Sequence, residues 1–305
     1  MLEICNVQKK YGKKGELVLR DVSLTADEGE IIAILGENGS GKTTMLKCIL
    51  RLLEYENGEI LYRKKAINSL HRNKFYKEFS AVLEGNRNLY WYMSAFDNIK
   101  YFGRLKKLSD KEIHEAGAHY LKVMGLYEER DKEVSEMSRG MQQKVAIVIA
   151  LLGHPKIMLL DEPTLGLDVK SKNDLINCLR TLARDEKITI LVTSHQMDVI
   201  EKLADRLVLL QDGKIAFDGK VMEFKEAYSQ ENYLIRVKGA ASYLGEYYEC
   251  VSGEEFTDII LKNTDYNDAV KVFDSLRENA SEVLLFQKDV CSLEEILLNY
   301  KEGRL

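Results

Sequence analysis

A glycine-rich segment, residues 36–43, carries the residue types that bind phosphate. Its glycines let consecutive backbone N–H groups converge on phosphate oxygens, and a helix that follows directs its positive end at the same anion. Lys42 would neutralise phosphate charge during binding and turnover, and the Thr43 hydroxyl is a ligand for Mg²⁺. The pattern predicts a site for a nucleoside triphosphate with Mg²⁺. The residues expected around the phosphates are Gly36, Glu37, Asn38, Gly39, Ser40, Gly41, Lys42, Thr43 and Thr44.

A pair of adjacent carboxylates, Asp161 and Glu162, ends the apolar run of residues 157–160. Such a run is typical of a strand buried in a parallel sheet, and open α/β sheets bind ligands at the carboxyl ends of their strands. Asp161 is predicted to hold Mg²⁺ through water. Glu162 is predicted to be catalytic, as the group that polarises the attacking water. A solvated acidic end of a strand is the alternative interpretation.

The elements that must position these residues are alternating strands and helices. Residues 31–35 form a wholly apolar run that leads directly into the glycine-rich segment, and a helix is predicted from about residue 42 to 53. Residues 156–160 and 188–193 predict two more buried strands, and residues 207–218 predict a hairpin. This alternation predicts an α/β core with a parallel sheet and flanking helices.

Further regions surround that core. Residues 2–24 alternate in short runs and predict an N-terminal antiparallel β subdomain. Residues 84–153 predict an inserted, mainly helical subdomain, in which Ser109 begins one of the helices. Towards the C-terminus the pattern changes to short strands and amphipathic helices, which predicts a small α+β domain. The predicted domains are therefore residues 1–220 and residues 221–305.

Composition restricts the partners that the chain can have. The net charge of −5 gives no general attraction to nucleic acid or anionic lipid, so nucleic acid is not an expected partner. The five cysteines are scattered without the spacing of a metal or redox site, which favours reduced thiols and a cytosolic protein. The longest apolar run, residues 145–152, is far shorter than the ~20 residues that cross a bilayer. Membrane contact would therefore depend on protein partners.

The motifs, taken in order over about residues 1–220, resemble those of the ATP-binding cassette ATPases. This resemblance implies a P-loop NTPase core. Residues 137–141 lie where the family has its signature segment, and they match it at Ser138 and Gly140. The resemblance implies that both residues face the γ-phosphate of an ATP held by a second subunit. Ser138 can also cap the helix that follows, and a plain helix cap is the alternative interpretation.

Three further positions fit the same resemblance. Asp168, just past the carboxylate pair, resembles a residue of the loop that joins the two active sites of the dimer, which implies a place at the bound nucleotide. His195 resembles the switch histidine of the family, which implies contact with the γ-phosphate and a catalytic role in aligning Glu162 with the attacking water. Tyr11 resembles the aromatic residue that stacks on adenine.

One position departs from the family pattern. The family has a Gln at the end of the strand that precedes the helical region, but here residues 80–83 are followed by Glu84, and no Gln occurs between Gln8 and Gln142. Glu84 is the candidate metal ligand at this position, because a carboxylate oxygen can ligate Mg²⁺. It also adds negative charge beside the triphosphate. An ordinary surface Glu is the alternative interpretation.

The segment that follows, residues 86–92, holds three consecutive aromatic residues, Tyr90, Trp91 and Tyr92. Aromatic side chains and Arg concentrate at protein interfaces. The resemblance implies that this region lines a groove for a helix of the transmembrane subunit. Packing of the aromatic side chains inside the helical region is the alternative interpretation.

The resemblance implies an ATPase subunit that binds ATP and Mg²⁺, dimerises head to tail on ATP and powers separate transmembrane permease subunits. Such a subunit is expected in the cytoplasm, on the inner face of the membrane. Residues 82–92 and the C-terminal region resemble the ATP-binding subunits of bacterial exporters of drugs, lantibiotics and similar substrates. Two other classes remain open: a non-transport cassette ATPase, and a regulatory protein that binds ATP without turning it over.

Overall fold

In a computed structural model, the chain forms two compact units, Met1–Val221 and Met222–Leu305. Each unit has its own buried apolar core. Among the described residues, no helix is both long enough and apolar enough to cross a membrane. The residues that the structure describes are 1–12, 15–84, 89–228, 232–238, 249–253, 255–262, 264–278, 282–289 and 293–301.

The first unit begins with a four-stranded antiparallel sheet. Its first strand buries alternate apolar side chains, including those of Leu2 and Ile4, because successive residues of a strand point to opposite faces. This sheet confirms the predicted N-terminal antiparallel β subdomain. Its strands are β1 (Leu2–Lys10), β2 (Leu17–Ala26), β4 (Asn57–Tyr62) and β5 (Lys65–Ala66), in the order β2-β1-β4-β5.

A six-stranded sheet forms the centre of the first unit. Three of its strands are buried along their whole length, which explains their unbroken apolar sequences. All neighbouring strands are parallel except the two that come last in the sequence, which form the predicted hairpin. The strands are β3 (Ile31–Leu35), β6 (Phe79–Val82), β7 (Ile157–Asp161), β8 (Thr189–Thr193), β9 (Arg206–Gln211) and β10 (Lys214–Lys220), in the order β10-β9-β3-β8-β7-β6.

Helices connect these strands, and α3 to α5 confirm that residues 84–153 are mainly helical. The helix predicted to begin after Ser109 is confirmed, since Ser109 caps α4 and forms a capping box with Glu112. The helices of the first unit are α1 (Lys42–Ile49), α2 (Arg72–Glu78), α3 (Ala95–Leu105), α4 (Asp110–Val123), α5 (Arg139–Leu151), α6 (Val169–Glu186) and α7 (Met197–Leu203).

Helix α1 is shorter than predicted. It ends at Ile49, whereas the apolar spacing suggested a helix to about residue 53. Arg51 adopts a left-handed backbone with φ +58°, which cannot continue a right-handed helix. The residues that follow still bury apolar surface, with Leu53 packed against the core of the unit. Their hydrophobicity therefore reflects packing and not helix length.

The second unit combines an antiparallel sheet with helices. Tyr233, Ile235 and Val237 alternate along one strand and are buried, together with Ala269 and Leu276 of a helix. This sheet and helix are the α+β arrangement that the C-terminal sequence predicts. The elements, of which all but Val221 lie in this unit, are α8 (Val221–Tyr228), β11 (Asn232–Lys238), β12 (Glu249–Ser252), β13 (Phe256–Leu261), α9 (Tyr266–Glu278), β14 (Val283–Asp289) and α10 (Leu293–Lys301), with strand order β12-β13-β11-β14.

Candidate nucleotide-binding site

The glycine-rich loop joins the end of β3 to the start of α1. Gly39 and Gly41 have φ values of +87° and +109°, which few residues with a Cβ adopt. Gly41 occupies the N-cap position of α1, and the helix has no side-chain cap. The first N–H groups of α1 can therefore be offered to an anion, as the sequence predicts for a phosphate-binding loop.

Two side chains of this segment, those of Lys42 and Ser40, differ in their hydrogen bonds. Lys42 Nζ donates hydrogen bonds to the carbonyl oxygens of Gly36 and Glu37, at 2.8 and 2.9 Å. The Ser40 hydroxyl oxygen is buried and has no hydrogen-bond partner among the described residues. A buried polar atom without a partner is costly, so this atom marks a place where a ligand or water would be stabilised.

The predicted adenine-stacking residue lies beside the same loop. The Tyr11 hydroxyl and Thr44 Oγ1 are 3.1 Å apart, and half of the Tyr11 side chain is exposed. Lys9 Nζ lies 5.8 Å from the centre of the Tyr11 ring. The ring is thus held at the loop and leaves one surface accessible, as stacking on a base requires.

The carboxylate of Asp161 connects its own strand, β7, to helix α1 and to strand β8. It accepts hydrogen bonds from Thr43 Oγ1 at 3.0 Å and from Thr193 Oγ1 at 2.6 Å, and only 4% of the residue is exposed. Thr43 is the second residue of α1, whereas Thr193 ends the neighbouring strand β8. The predicted metal residues Thr43 and Asp161 are therefore in direct contact.

Glu162 follows Asp161 with an unusual backbone, since its φ is +50°. Its N–H donates to the Thr193 hydroxyl and carbonyl oxygens, at 3.1 and 3.2 Å. His195 Nδ1 lies 3.0 Å from Glu162 Oε1, so the structure brings the predicted base and the predicted switch histidine together. Glu162 Oε2 is buried without a hydrogen-bond partner in the part of the chain that the structure describes. This unsatisfied oxygen marks a position where a hydrogen-bond donor would be stabilised.

One open cavity of about 550 Å³, which we call the nucleotide cavity, collects most of the predicted residues. Glu84 lines it together with the loop and the carboxylate pair, so the departure from the family pattern lies at the site itself. The lining residues do not include Ser138, Gly140 or Asp168. The full lining is Tyr11, Val18, Asn38, Gly39, Gly41, Lys42, Thr43, Thr44, Glu84, Asp161, Glu162, Leu165 and His195.

Ser138 and Gly140 lie at the first turn of α5. Ser138 is the N-cap of this helix, and its hydroxyl accepts a hydrogen bond from the Met141 N–H at 3.3 Å. Gly140 is buried, and a Cβ added there would lie 2.8 Å from Ser171 Cβ. Ser138 therefore has the cap role that was the alternative interpretation, and Gly140 allows α5 to approach α6 closely.

Asp168 is the N-cap of α6. Its carboxylate accepts hydrogen bonds from the Ser171 N–H at 3.0 Å and from the Ser171 hydroxyl at 2.6 Å. These bonds lower the pKa of Asp168, since they favour the ionised carboxylate. Ser171 thus contacts two of the three residues named above as lying outside the cavity, Gly140 and Asp168.

Sequence reasoning missed two residues that organise the site. Thr193 binds the Asp161 carboxylate and the Glu162 backbone N–H, and its position at the end of an apolar run is the same signal that identified Asp161. Ser171 carries no comparable signal, because its role depends on how two helices pack. Asn86, Arg87 and Asn88, part of the predicted interface segment, lie outside the described residues.

The residues present fit a hard divalent cation. Thr43 Oγ1 and the Asp161 carboxylate are oxygen ligands 3.0 Å apart, and Glu84 adds a further carboxylate to the same cavity. Mg²⁺ commonly takes one or two protein oxygens and completes its coordination with water and phosphate oxygens. An all-oxygen set of this size therefore suits Mg²⁺ bound together with a nucleotide.

Comparison with known proteins gives a consistent assignment. A family profile described as ABC transporter matches residues 19–165. The chain is 37% identical over 243 residues to the ABC transporter ATP-binding protein NatA of Bacillus subtilis, which covers 78% of this chain and 98% of that protein. It is 36% identical over 230 residues to the phosphonates import ATP-binding protein PhnC of Treponema denticola, which covers 72% and 89%.

Solved structures agree with the sequence relatives. The cbiO1 protein of Clostridium perfringens, part of the transporter complex cbiONQ, superposes with a TM-score of 0.68 at 27% identity over 73% of this chain and 89% of that one. The ATP-binding cassette MJ0796, solved as a dimer with ADP and phosphate, gives 0.64 at 29% identity over 72% and 99%. The predicted fold class, a P-loop core with an antiparallel β subdomain, is thus confirmed.

The fold and the site define an ATP-binding cassette ATPase. The chain belongs to the ABC transporter family, as an ATP-binding subunit of a transporter. Several relatives are named for import, including those for phosphonates and methionine, so the predicted resemblance to exporters is not confirmed.

The loop geometry predicts different costs for alanine at two of its glycines. Gly36→Ala is expected to lower the free energy of unfolding by about 3 kcal/mol, because the new Cβ would lie 2.3 Å from the Leu210 carbonyl oxygen. Gly39→Ala is the matched control. Its φ of +87° is also strained, but among the described residues no atom beyond its chain neighbours lies within 4 Å of the new Cβ. A loss of about 1–2 kcal/mol in the free energy of unfolding is expected there. Urea unfolding measures both; equal losses would contradict the packing argument.

Proposed function

We propose that this chain hydrolyses ATP at a site shared between two copies arranged head to tail, and that the cycle powers a separate membrane permease. The observation that carries the proposal is the arrangement of Thr43, Asp161, Glu162 and His195 around one cavity at the carboxyl end of the central sheet. A phosphate loop alone would serve binding. The added carboxylate and histidine supply what hydrolysis needs.

Glu162 is proposed to accept a proton from the attacking water. Its Oε1 is held by His195 at 3.0 Å, while its Oε2 has no protein partner among the described residues. Holding one oxygen restricts rotation of the carboxylate, so the orientation of Oε2 is restricted as well. A base must lie within hydrogen-bond reach of the proton that it takes, and this restriction favours such a position.

Thr43 and Asp161 are proposed to hold Mg²⁺, with Glu84 as a further ligand either directly or through water. When bound, the cation would screen the charge of the phosphate oxygens. Lys42, from the start of α1, would add a second positive charge on the same side. Tyr11 is proposed to stack on the adenine, because its ring is half exposed beside the loop.

The second copy is proposed because part of the predicted nucleotide contacts lies elsewhere. Ser138 is exposed at the N-terminus of α5 and is not among the residues that line the nucleotide cavity. Asp168 is also exposed and outside this cavity. The positive end of α5 could therefore meet the γ-phosphate held by a partner copy. The related cassette MJ0796 was solved as a dimer, which supports such an assembly.

The permease is proposed to contact the aromatic segment at residues 90–92. Tyr90, Trp91 and Tyr92 are 47%, 49% and 90% exposed, although the Tyr90 ring also packs against Tyr101 of α3, with the ring centres 4.8 Å apart. Tyr90 and Leu89 also line an apolar groove of about 730 Å³ between β6 and α3. Exposed aromatic side chains beside an apolar groove favour a protein partner. Such docking would hold the chain at the inner face of the membrane.

The direction of transport is proposed as export, by the resemblance of residues 82–92 and of the C-terminal region to exporter subunits. Two relatives, named for the import of phosphonates and of methionine, are associated with the opposite direction. ATPase assays on the chain alone and with its permease separate transport coupling from the two other classes. A non-transport ATPase would not respond to a permease, and a regulatory ATP-binding protein would show no turnover.

The first prediction of this mechanism concerns Glu162. Glu162→Gln is expected to lower ATP turnover by about 100-fold or more, because the amide cannot accept the proton. Binding of ADP should be retained, since the change is isosteric and leaves the phosphate loop intact. Phosphate release measures turnover, and isothermal titration with ADP checks that the site is intact. Unchanged turnover would exclude Glu162 as the base.

The second prediction concerns Glu84 and the metal. Glu84→Gln is expected to raise the Mg²⁺ concentration for half-maximal ATP binding by about tenfold, because one ligand or its water contact is weakened. Without Mg²⁺, the variant should bind ATP more tightly than the parent, since a negative charge is removed. Glu136→Gln, an exposed change of the same charge, is the control. An unchanged Mg²⁺ requirement would exclude Glu84 as a ligand of the metal.

The third prediction concerns the permease contact. Trp91→Ala is expected to weaken binding to membranes that contain the permease by about tenfold or more, as for a buried aromatic residue of an interface. Tyr266→Ala removes an aromatic side chain of similar exposure, 59%, from the second unit and is the control. Titration of labelled chain onto the membranes measures affinity. Unimpaired binding of Trp91→Ala would argue against this contact.

A further inference from the structure

A polar side-chain cluster joins α4 to the C-terminal end of α6. The Tyr120 hydroxyl donates to Glu186 Oε2 at 2.8 Å, and His119 Nε2 lies 2.9 Å from Glu186 Oε1. His154 Nδ1 lies 2.8 Å from the same tyrosine hydroxyl. Tyr120 is fully buried, which is unusual for a group with a polar atom that could instead face water.

The hydrogen-bond roles in this cluster follow from the number of protons. Tyr120 has one hydroxyl proton, and it is donated to Glu186. The His154 nitrogen at 2.8 Å must therefore carry a proton and donate it to the tyrosine oxygen. Burial and the Glu186 carboxylate raise the pKa of Tyr120, so its hydroxyl remains a donor. Hydrogen bonds thus run from the chain after α5 to α4 and from α4 to the end of α6, and they hold these three segments together.

Helix α6 is itself anchored to the core of the first unit. Lys172 Nζ bonds to Asp198 of α7 at 3.1 Å, and Lys202 of α7 bonds to Asn173 at 3.2 Å. A Cβ added at Gly29, before β3, would lie 3.1 Å from the Ala183 carbonyl oxygen, so α6 also packs tightly there. The helix therefore provides a fixed surface against which α4 and α5 are placed.

The two contacts of α6 with these helices lie at its opposite ends. Ser171 packs against Gly140 in the first turn of α5, beside Ser138, whereas Glu186 holds Tyr120 of α4. Fifteen residues of helix at 1.5 Å each separate Ser171 from Glu186 by about 22 Å. The Ser171 contact is made by α5 itself, whereas the Tyr120 contact reaches α5 through His154, which follows the end of that helix and lies 2.8 Å from the same tyrosine hydroxyl. Helix α5 is therefore held near both of its ends, which restricts its rotation.

We propose that Tyr120 and Glu186 are positioning residues for the ATP-driven dimer: their hydrogen bond sets the orientation in which α5 presents Ser138 to the nucleotide of a partner copy. The inference rests on the proposed head-to-tail function. Apolar contacts between helices have little directionality and permit small rotations. A buried hydrogen bond restricts them, because leaving its donor or acceptor unpaired is costly.

The test uses the full chain with Glu162→Gln as the parent, since this variant is expected to turn over bound ATP at least about 100-fold more slowly. Tyr120→Phe in this background is expected to raise the dimer dissociation constant in MgATP by about tenfold. The affinity of the monomer for ADP should stay unchanged, because the nucleotide cavity lies outside the altered contact. Sedimentation velocity measures dimerisation, and titration calorimetry measures ADP binding.

The chain offers a matched control in Tyr62. Its hydroxyl donates to Glu78 Oε2 at 2.8 Å, and the residue is 4% exposed, so Tyr62→Phe removes a similar tyrosine–glutamate bond between β4 and α2. Both phenylalanine variants are expected to lose thermal stability, but only Tyr120→Phe should weaken the dimer. Equal dimerisation of the two variants would overturn the inference.

Variants of the acceptor give an independent comparison that also serves if Tyr120→Phe does not fold. Glu186→Gln keeps an oxygen that can accept from Tyr120 and should dimerise like the parent, whereas Glu186→Leu should weaken the dimer about tenfold. Equal dimerisation of these two variants would reject the positioning role. Failure of the parent itself to dimerise with MgATP would instead refute the proposed function, so the two failures are distinguishable.

Discussion

The rest of the site depends on the hydrogen bonds that the Asp161 carboxylate accepts. A carboxylate with 4% exposure is costly unless it is hydrogen-bonded, and here Thr43 and Thr193 provide those bonds from two other segments. The parallel pairing of β7 with β8 places Thr193 directly beside Asp161. The register of the central sheet therefore sets the distance between the phosphate loop and the Asp161 carboxylate, and Glu162 receives its position from the same threonine.

Much of this core could be predicted because its physical signals are local in sequence. A strand buried on both faces needs an unbroken apolar run, as in residues 31–35, and a loop with positive φ needs glycine. The end of α1 could not be predicted, because Arg51 adopts a left-handed backbone without any glycine to mark it. Short elements such as α2 and β12 were also missed, since seven residues of helix or four residues of strand carry too little periodicity.

The predicted site residues divide in the same physical way. Those at the carboxyl ends of neighbouring strands were predicted to lie together, and the structure places them around one cavity. Gly140 differs, because it was assigned to the nucleotide by resemblance, whereas the structure shows why glycine is needed for packing against Ser171. That contact depends on how two helices cross, which no local pattern encodes. The same holds for Tyr120 and Glu186, which are far apart in sequence.

The left-handed backbone of Glu162 has a consequence for evolution of the fold. A residue with a long side chain at φ +50° costs of order 1 kcal/mol relative to a relaxed backbone, and here two hydrogen bonds to Thr193 hold it in place. Natural proteins have only a few kcal/mol of stability to spare. Selection for stability alone would favour glycine at this position, so a carboxylate here costs the fold part of its stability.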